Sequence, residues 1–228
     1  MTASDISLAM PVYPVGEPVD IDARAADFMA DAILRTRRQY WFDRTPFAYR
    51  AANTTPAAPD HNFDISHSTI QRNRAQLEQI VGWKYASKGL LASGPTNLGK
   101  TRAMYALCHR LLCEESRDVG IWHAQDFFSA LQAEIKYGRD EAEGFVKRQA
   151  ARPVLFIDDY GQEAVQSNRQ DWAQGWFFRL LDLRIGNGLP LLMTSNLTAR
   201  QMADGARDVA SDPMVRRLLD VCEPIKFI

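Results

Sequence analysis

One nine-residue stretch constrains this chain more than any other, since residues 93–101 read SGPTNLGKT. The stretch fits the phosphate-loop pattern G-x-x-x-x-G-K-S/T at every fixed position. The apolar stretch GLLAS precedes the loop, and RAMYALCHRLL follows it with apolar residues at every third or fourth position. A strand, a loop and a helix in this order form the context that a phosphate loop requires. The sequence therefore predicts an α/β fold with a phosphate site at this turn, and a strand-to-helix turn without a ligand is the alternative.

The residues of this loop have separate expected roles. Loop amides and the N-terminus of the following helix would surround the phosphates of ATP. Lys100 would reach the β and γ phosphates, and the Thr101 hydroxyl would hold Mg²⁺. Asn97 stands where glycine is common, and Asn adopts positive φ more readily than other non-glycine residues. The predicted nucleotide-binding residues are Gly94, Pro95, Thr96, Asn97, Leu98, Gly99, Lys100, Thr101 and Arg102.

A second motif, VLFIDDYG, begins at Val154 and ends an apolar run in two adjacent carboxylates. The carboxyl ends of parallel strands face the ligand crevice of an open α/β sheet. Asp158 is therefore expected to hold Mg²⁺ through water, and Asp159 to act as the base or orienter of the attacking water. Asp159 is one methylene shorter than the Glu of many ATPases. An ordinary solvated strand end is the alternative.

Two further segments extend the predicted site. The stretch LPLLMTSN ends in Asn196, which would lie beside Asp158 and sense the γ phosphate. The stretch SDPMVRRLLD contains a short helix with Arg216 and Arg217. Arg217 is the better candidate for an arginine that completes a neighbouring subunit's site and stabilises transition-state charge. The alternative for Asn196 is a residue that only forms a turn, and the alternative for Arg216 and Arg217 is a solvated basic pair.

Alternating apolar strands and helices predict a parallel sheet covered on both faces. The expected strands are Gly89–Ser93, Val119–His123, Val154–Asp158, Leu189–Ser195 and Pro224–Ile228. The expected helices are Lys100–Ser116, Ala124–Tyr137, Glu141–Ala151, Gln170–Gly186 and Ala199–Ala206, with a short N-terminal helix from Asp22 to about Tyr40. Residues 1–20 read as an irregular arm, and a Pro-rich stretch near residues 45–60 as a loop or linker. We expect an N-terminal docking segment, residues 1–60, and an ATPase domain, residues 61–228.

Composition limits the remaining possibilities. The 228 residues have a net charge of -1, so DNA binding would require a local patch. One basic stretch, residues 35–50, interleaves arginines with Tyr40, Trp41 and Phe42; it would grip single-stranded nucleic acid, dock a protein or form a solvated face. Three unpaired cysteines indicate reduced core thiols, and the four histidines lack ligand spacing. No signal or membrane segment is recognised, which predicts a cytoplasmic protein.

Taken together, the chain resembles the DnaC/IstB-like branch of the AAA+ ATPases from about Pro46 to Ile228. The motifs that carry the resemblance, in order, are TPFAYRAA, GPTNLGKT, FIDDYGQE, LDLRIGNGLPLLMTSNLT and VRRLL. The resemblance implies a P-loop core with a five-stranded sheet. It also implies catalytic roles for Lys100, Asp159, Asn196 and Arg217, and metal binding by Thr101 and Asp158. Ile228 directly follows the last strand, so no C-terminal lid is expected.

Within this branch the leading hypothesis is a bacterial or phage helicase loader. Such a protein would assemble on ATP into an oligomer, hydrolyse it slowly, and load a DnaB-type replicative helicase onto single-stranded DNA at replication initiation. An IstB-like transposase helper on duplex DNA and a nucleotide-gated adaptor with little turnover are the alternatives. A small-molecule kinase is disfavoured, because no substrate lid with clustered arginines is recognised.

Overall fold

The computed structural model describes residues 21–66, 68–161, 170–197, 201 and 212–228. The predicted N-terminal arm, residues 1–20, lies outside these ranges, as does nearly all of the predicted helix Ala199–Ala206. The first element is helix α1, Ile21–Arg44, which confirms and extends the expected N-terminal helix. Chain contacts divide the molecule between Ile33 and Leu34.

Five strands form one parallel sheet, as the sequence predicts, and their order in the sheet is β2-β3-β4-β1-β5. They are β1 Gly89–Ser93, β2 Val119–His123, β3 Val154–Tyr160, β4 Leu191–Ser195 and β5 Cys222–Lys226. Strand β5 begins earlier than expected, because Cys222 already pairs in register with Gly89. Strand β4 begins two residues later than expected, since Leu189 N–H bonds to Arg184 at the preceding helix end and Pro190 has no N–H to donate.

Six further α-helices connect the strands within the described residues. They are α2 Arg74–Val81, α3 Lys100–His109, α4 Ala124–Ile135, α5 Arg139–Ala150, α6 Gln170–Asn187 and α7 Pro213–Val221. Helix α3 ends before the predicted Ser116 and continues as a π-helical turn, Arg110–Glu114. Short 3₁₀ helices at Phe47–Tyr49 and Ser68–Asn73 precede α2.

The sheet separates two apolar cores. Alternate residues of a strand face opposite sides, so Leu90 and Ala92 belong to one core and Leu91 to the other. The first core includes Trp41 and residues of α2 and α3. The second includes residues of α4, α5, α6 and α7. These two layers of helices fix the sheet, so the C-terminal ends of its strands are held in place around one crevice.

The Pro-rich stretch before the sheet packs on α3. Trp41 has no exposed surface, and its indole N–H donates to the Tyr105 carbonyl at 3.2 Å. Tyr49 stacks on Tyr105 with ring centroids 5.3 Å apart, and His109 Nε2 lies 2.8 Å from the Pro59 carbonyl. These contacts attach residues 41–59 to helix α3, which follows the predicted phosphate loop. The division of roles at residue 60 stays a prediction.

The aromatic residues of the basic stretch, residues 35–50, make contacts within the chain. Trp41 is fully buried, and the Tyr40 hydroxyl accepts a hydrogen bond from Ile121 N–H in β2. The Arg50 guanidinium lies 4.0 Å from the Phe42 ring centroid. Trp41 is therefore unavailable for stacking on nucleobases, and Tyr40 and Phe42 pack partly against the chain's own core. Binding of single-stranded nucleic acid by this stretch stays a prediction.

Candidate functional site

The phosphate loop connects β1 to α3 in a conformation that suits anion binding. Gly94 has φ 136°, and a Cβ there would lie 2.5 Å from the Phe227 carbonyl oxygen. Asn97 has φ 61°, which is the left-handed conformation expected from its sequence position. Gly99 caps α3 with φ 84°. Successive amides in such turns, together with a helix N-terminus, form a concave site for phosphate oxygens.

Lys100 is nearly buried at the base of this loop. Its ammonium donates to the carbonyls of Gly94 at 2.8 Å and Pro95 at 2.6 Å, and to Asn196 Oδ1 at 3.2 Å. Burial lowers the Lys100 pKa, while Asp159 and Asp158 oppose that shift. The ammonium is therefore held beside the loop by acceptors that a phosphate could replace.

Asp158 is the most buried acid of the site, with 5% of its surface exposed. Its Oδ1 accepts from the Thr194 hydroxyl at 2.6 Å and the Thr101 hydroxyl at 2.9 Å. Burial raises the Asp158 pKa, and these two hydrogen bonds oppose the rise. Mg²⁺ prefers carboxylate, hydroxyl and water oxygens beside substrate phosphates. The facing oxygens of Thr101 and Asp158 fit that requirement.

Asp159 is held in an uncommon backbone conformation, with φ 57°. Ile157 pairs with Met193 and Tyr160 with Ser195, so two residues of β3 oppose the single residue Thr194 of β4. This arrangement is a β-bulge, which redirects a side chain at a strand end. Asp159 N–H donates to the Thr194 hydroxyl at 2.8 Å, and Asp159 Oδ1 accepts from Asn196 Nδ2 at 2.6 Å. The bulge and these bonds fix the carboxylate at the crevice.

His123 joins the site, although its sequence position suggested no ligand role. It ends β2, where it pairs in register with Asp158. His123 Nε2 lies 3.8 Å from Asp159 Oδ2. Its placement at the C-terminal end of a parallel strand is the signal that could have identified it.

These residues line one cavity of about 560 Å³, a size typical of small-ligand sites. Predicted residues in its wall are Thr96, Asn97, Leu98, Gly99, Lys100, Thr101, Arg102, Asp158, Asp159 and Asn196. His123 and three residues of the N-terminal stretch, Pro46, Ala48 and Tyr49, complete the wall. The N-terminal stretch was predicted as a docking segment or linker, and its contribution to the cavity was missed. The only sequence feature that pointed to this contribution was the motif TPFAYRAA, the first of those that carry the family resemblance.

The two arginines of α7 lie outside the wall of this cavity. Arg217 Nε donates to Asp182 Oδ1 at 2.5 Å, and its guanidinium lies 5.1 Å from the Phe178 ring centroid. Arg216 is exposed. The assignment of Arg217 to a neighbouring subunit's site stays a prediction.

The fold has clear relatives among solved structures, whereas no family model and no curated protein matches the sequence. A structure of DnaI has 23% identity and a TM-score of 0.52, with 73% of this chain and 86% of that chain aligned. A structure of the DnaC helicase loader has 19% identity and a TM-score of 0.54, with 73% of this chain and 94% of that chain aligned.

A third relative is the replication initiator DnaA bound to AMPPCP and single-stranded DNA, with 16% identity and a TM-score of 0.53. The alignment covers 72% of this chain and 48% of DnaA, so the chain spans about half of that protein's length. These likenesses show that the chain shares its fold with DnaI, the DnaC helicase loader and DnaA. The five-stranded sheet and its helices have the AAA+ fold that the sequence motifs predicted.

Proposed function

We propose that this chain binds and hydrolyses ATP with Mg²⁺ and uses the cycle to load a replicative helicase onto single-stranded DNA. The observation that carries the ATP part is the convergence of Lys100, Thr101 and Asp158 at one phosphate-loop cavity. The helicase part is supported by the shared fold with the DnaC helicase loader. DnaA, of the same fold, was solved with AMPPCP and single-stranded DNA, which supports ATP and DNA as ligands here.

The predicted catalytic and metal-binding residues of the cavity each have a defined role in this proposal. Lys100 exchanges its carbonyl partners for the β and γ phosphates. Thr101 and Asp158 hold Mg²⁺, which neutralises charge on the phosphate oxygens when bound. Asp159 orients the attacking water, and Asn196 senses the γ phosphate from its place between Lys100 and Asp159. The backbone N–H groups of residues 96–99 contact the remaining phosphate oxygens, since Pro95 has no N–H and that of Gly94 donates to the Ser195 carbonyl.

The proposed cycle includes self-assembly in the cytoplasm. None of the described cavity-lining residues supplies a cation beyond Lys100 and Arg102. A neighbouring subunit would contribute Arg217, after its bond to Asp182 is exchanged for a γ phosphate oxygen. An arginine supplied in this way stabilises the charge that develops during phosphoryl transfer. No helix in the described parts of the chain is long and apolar enough to cross a membrane.

One observation favours the second candidate, a nucleotide-gated adaptor with little turnover. Asp159 is short for a water-positioning acid, and Asn196 already occupies its Oδ1. With its carboxylate restrained in this way, the site would bind ATP but hydrolyse it slowly. The transposase helper differs from both in its preference for duplex DNA.

The test compares the wild-type chain with Lys100→Ala and Asp159→Ala. Lys100→Ala should abolish ATP binding, because it removes a ground-state phosphate contact. Asp159→Ala should keep the affinity within about threefold and lower turnover by about 10²-fold or more, because Asp159 acts on the water. Lys147→Ala is the control, since Lys147 is an exposed lysine paired with Glu143 on α5. Affinity is measured by calorimetry and turnover by phosphate release.

Equal loss of ATP affinity in both variants would overturn the assignment of roles. Turnover is also measured with single-stranded and duplex DNA, and co-elution with the host replicative helicase is tested with and without ATP. Stimulation by duplex DNA alone favours the transposase helper. Tight ATP binding with negligible turnover under every condition favours the adaptor.

A further inference from the structure

His123 and Asp159 face each other across the end of the sheet, and their geometry defines a water site. Asp159 Oδ1 accepts a hydrogen bond from Asn196 Nδ2 at 2.6 Å, whereas Oδ2 accepts none from the described residues. Oδ2 lies 3.8 Å from His123 Nε2. That separation exceeds a direct N–H···O bond of ~3 Å, yet one water can contact both atoms. Both side chains line the ATP cavity.

The proton of a neutral His123 ring is on the nitrogen that faces Asp159. His123 Nδ1 accepts a hydrogen bond from Gln125 N–H at 3.3 Å, where His123 caps helix α4. An imidazole nitrogen that accepts in this way carries no proton, so Nε2 carries it. His123 therefore presents a donor and Asp159 Oδ2 an acceptor to the same point of the cavity.

We propose that His123 is a positioning residue for ATP hydrolysis, holding the attacking water together with Asp159. The proposal rests on the ATPase function proposed above and adds a residue to it. The water accepts from His123 Nε2–H and donates to Asp159 Oδ2, which leaves its second lone pair available to attack the γ phosphorus. Two fixed contacts on the water compensate for the short Asp159 side chain.

The reaction then balances as an ordinary phosphoryl transfer to water. The water oxygen bonds to the γ phosphorus while the bond from that phosphorus to the bridging oxygen of ADP breaks. The electron pair of the broken bond leaves with ADP. The proton lost by the water passes through Asp159 Oδ2 to solvent, and His123 donates its hydrogen bond without transferring a proton.

Three substitutions separate positioning from capping. His123→Asn keeps an acceptor for Gln125 N–H but has no donor at the Nε2 position. His123→Gln carries an amide donor close to the Nε2 position. His123→Ala lacks both groups. We expect kcat to fall about 10- to 100-fold in His123→Asn and His123→Ala, within the range for a lost positioning group. His123→Gln should recover at least about a third of the wild-type kcat.

The ground-state complex should be unaffected, because His123 acts on the water and not on the nucleotide. ATP affinity and KM should stay within about threefold of wild type in all three variants. Melting temperature should be near wild type for His123→Asn and lower for His123→Ala, since only the latter loses the cap. A purely structural His123 predicts the same order of melting temperatures but full activity in His123→Asn.

The inference is overturned if His123→Asn keeps a kcat within about twofold of wild type, or if KM rises while kcat is unchanged. It is also overturned if His123→Gln is as slow as His123→Ala. Failure of the ATPase proposal looks different, because the wild-type chain itself would then show no phosphate release that depends on Lys100.

Discussion

Thr194 links the two acids of the site, and its hydroxyl should contribute strongly to stability. It is 1% exposed, donates to Asp158 Oδ1 at 2.6 Å and accepts from Asp159 N–H at 2.8 Å. Thr194→Val replaces the hydroxyl with a methyl of similar size. Loss of a hydrogen bond to a charged group costs ~1.5–3 kcal/mol, and an unpaired amide ~1–3 kcal/mol. Because the Asp159 side chain is 23% exposed to water, we expect the two losses together to lie near the lower ends of these ranges, about 2.5–4 kcal/mol.

The assay is urea denaturation at pH 7 without nucleotide. Thr194→Ser is the matched control, because it keeps both hydrogen bonds and loses one buried methyl, worth about 1 kcal/mol. If Thr194→Val lies within about 1 kcal/mol of wild type, or Thr194→Ser is as unstable as Thr194→Val, the hydroxyl does not hold the strand end as described.

The effect should also depend on pH in a defined direction. Burial raises the Asp158 pKa, and the Thr194 hydrogen bond opposes that rise. Thr194→Val therefore raises the folded-state pKa further above the unfolded value. A carboxyl with a raised folded pKa favours the folded state when protonated. The destabilisation should be complete above the folded pKa of Asp158 and shrink as pH falls through it.

Two further variants test the loop and the core. Calorimetry should show ATP affinity within about twofold of wild type for Asn97→Gly and about tenfold weaker for Asn97→Val. The backbone φ of 61° costs about 1–2 kcal/mol for Val, whose side chain cannot form the local hydrogen bonds that Asn forms in this conformation. Arg184 is fully buried and donates to the carbonyls of Ala150, Arg152 and Pro190, and burial lowers its pKa to about 10. Arg184→Met should lower the free energy of unfolding by about 3 kcal/mol, because it leaves buried carbonyls unpaired. Arg179→Met, which breaks an exposed pair with Glu143, should remain near wild type in the same urea titration. Comparable unfolding energies for the Arg184 and Arg179 variants would contradict the Arg184 prediction.

The sequence predicted those parts of the site that depend on local order. The phosphate loop, Asp158 and Asn196 are all recognised by a motif or by the end of an apolar strand. Parallel pairing then brings the strand ends together, whatever the details of packing. The sheet and the placement of these side chains at one crevice were predictable for that reason.

The missed residues depend on contacts between distant parts of the chain. Tyr49 lines the cavity because Trp41 bonds to Tyr105 and Pro59 to His109, which lie in α3, 64 and 50 positions further along the chain. Thr194 contacts both acids because β3 contains a bulge, and alternation of apolar residues does not reveal a bulge. His123 was discounted as an isolated histidine, although the predicted strand already ended at it.

The bulge also explains why the second acid is Asp and not the longer Glu. Asn97, Ser116 and Asp159 are the non-glycine residues with positive φ in the described part of the chain, and two of them line the cavity. Asn and Asp are enriched in this conformation, whereas longer side chains adopt it less readily. An unfavourable conformation persists where surrounding contacts fix it, and the Thr194 and Asn196 bonds do so at Asp159. The shorter acid and the turned backbone therefore belong to one arrangement, in which Oδ2 lies 3.8 Å from His123 Nε2.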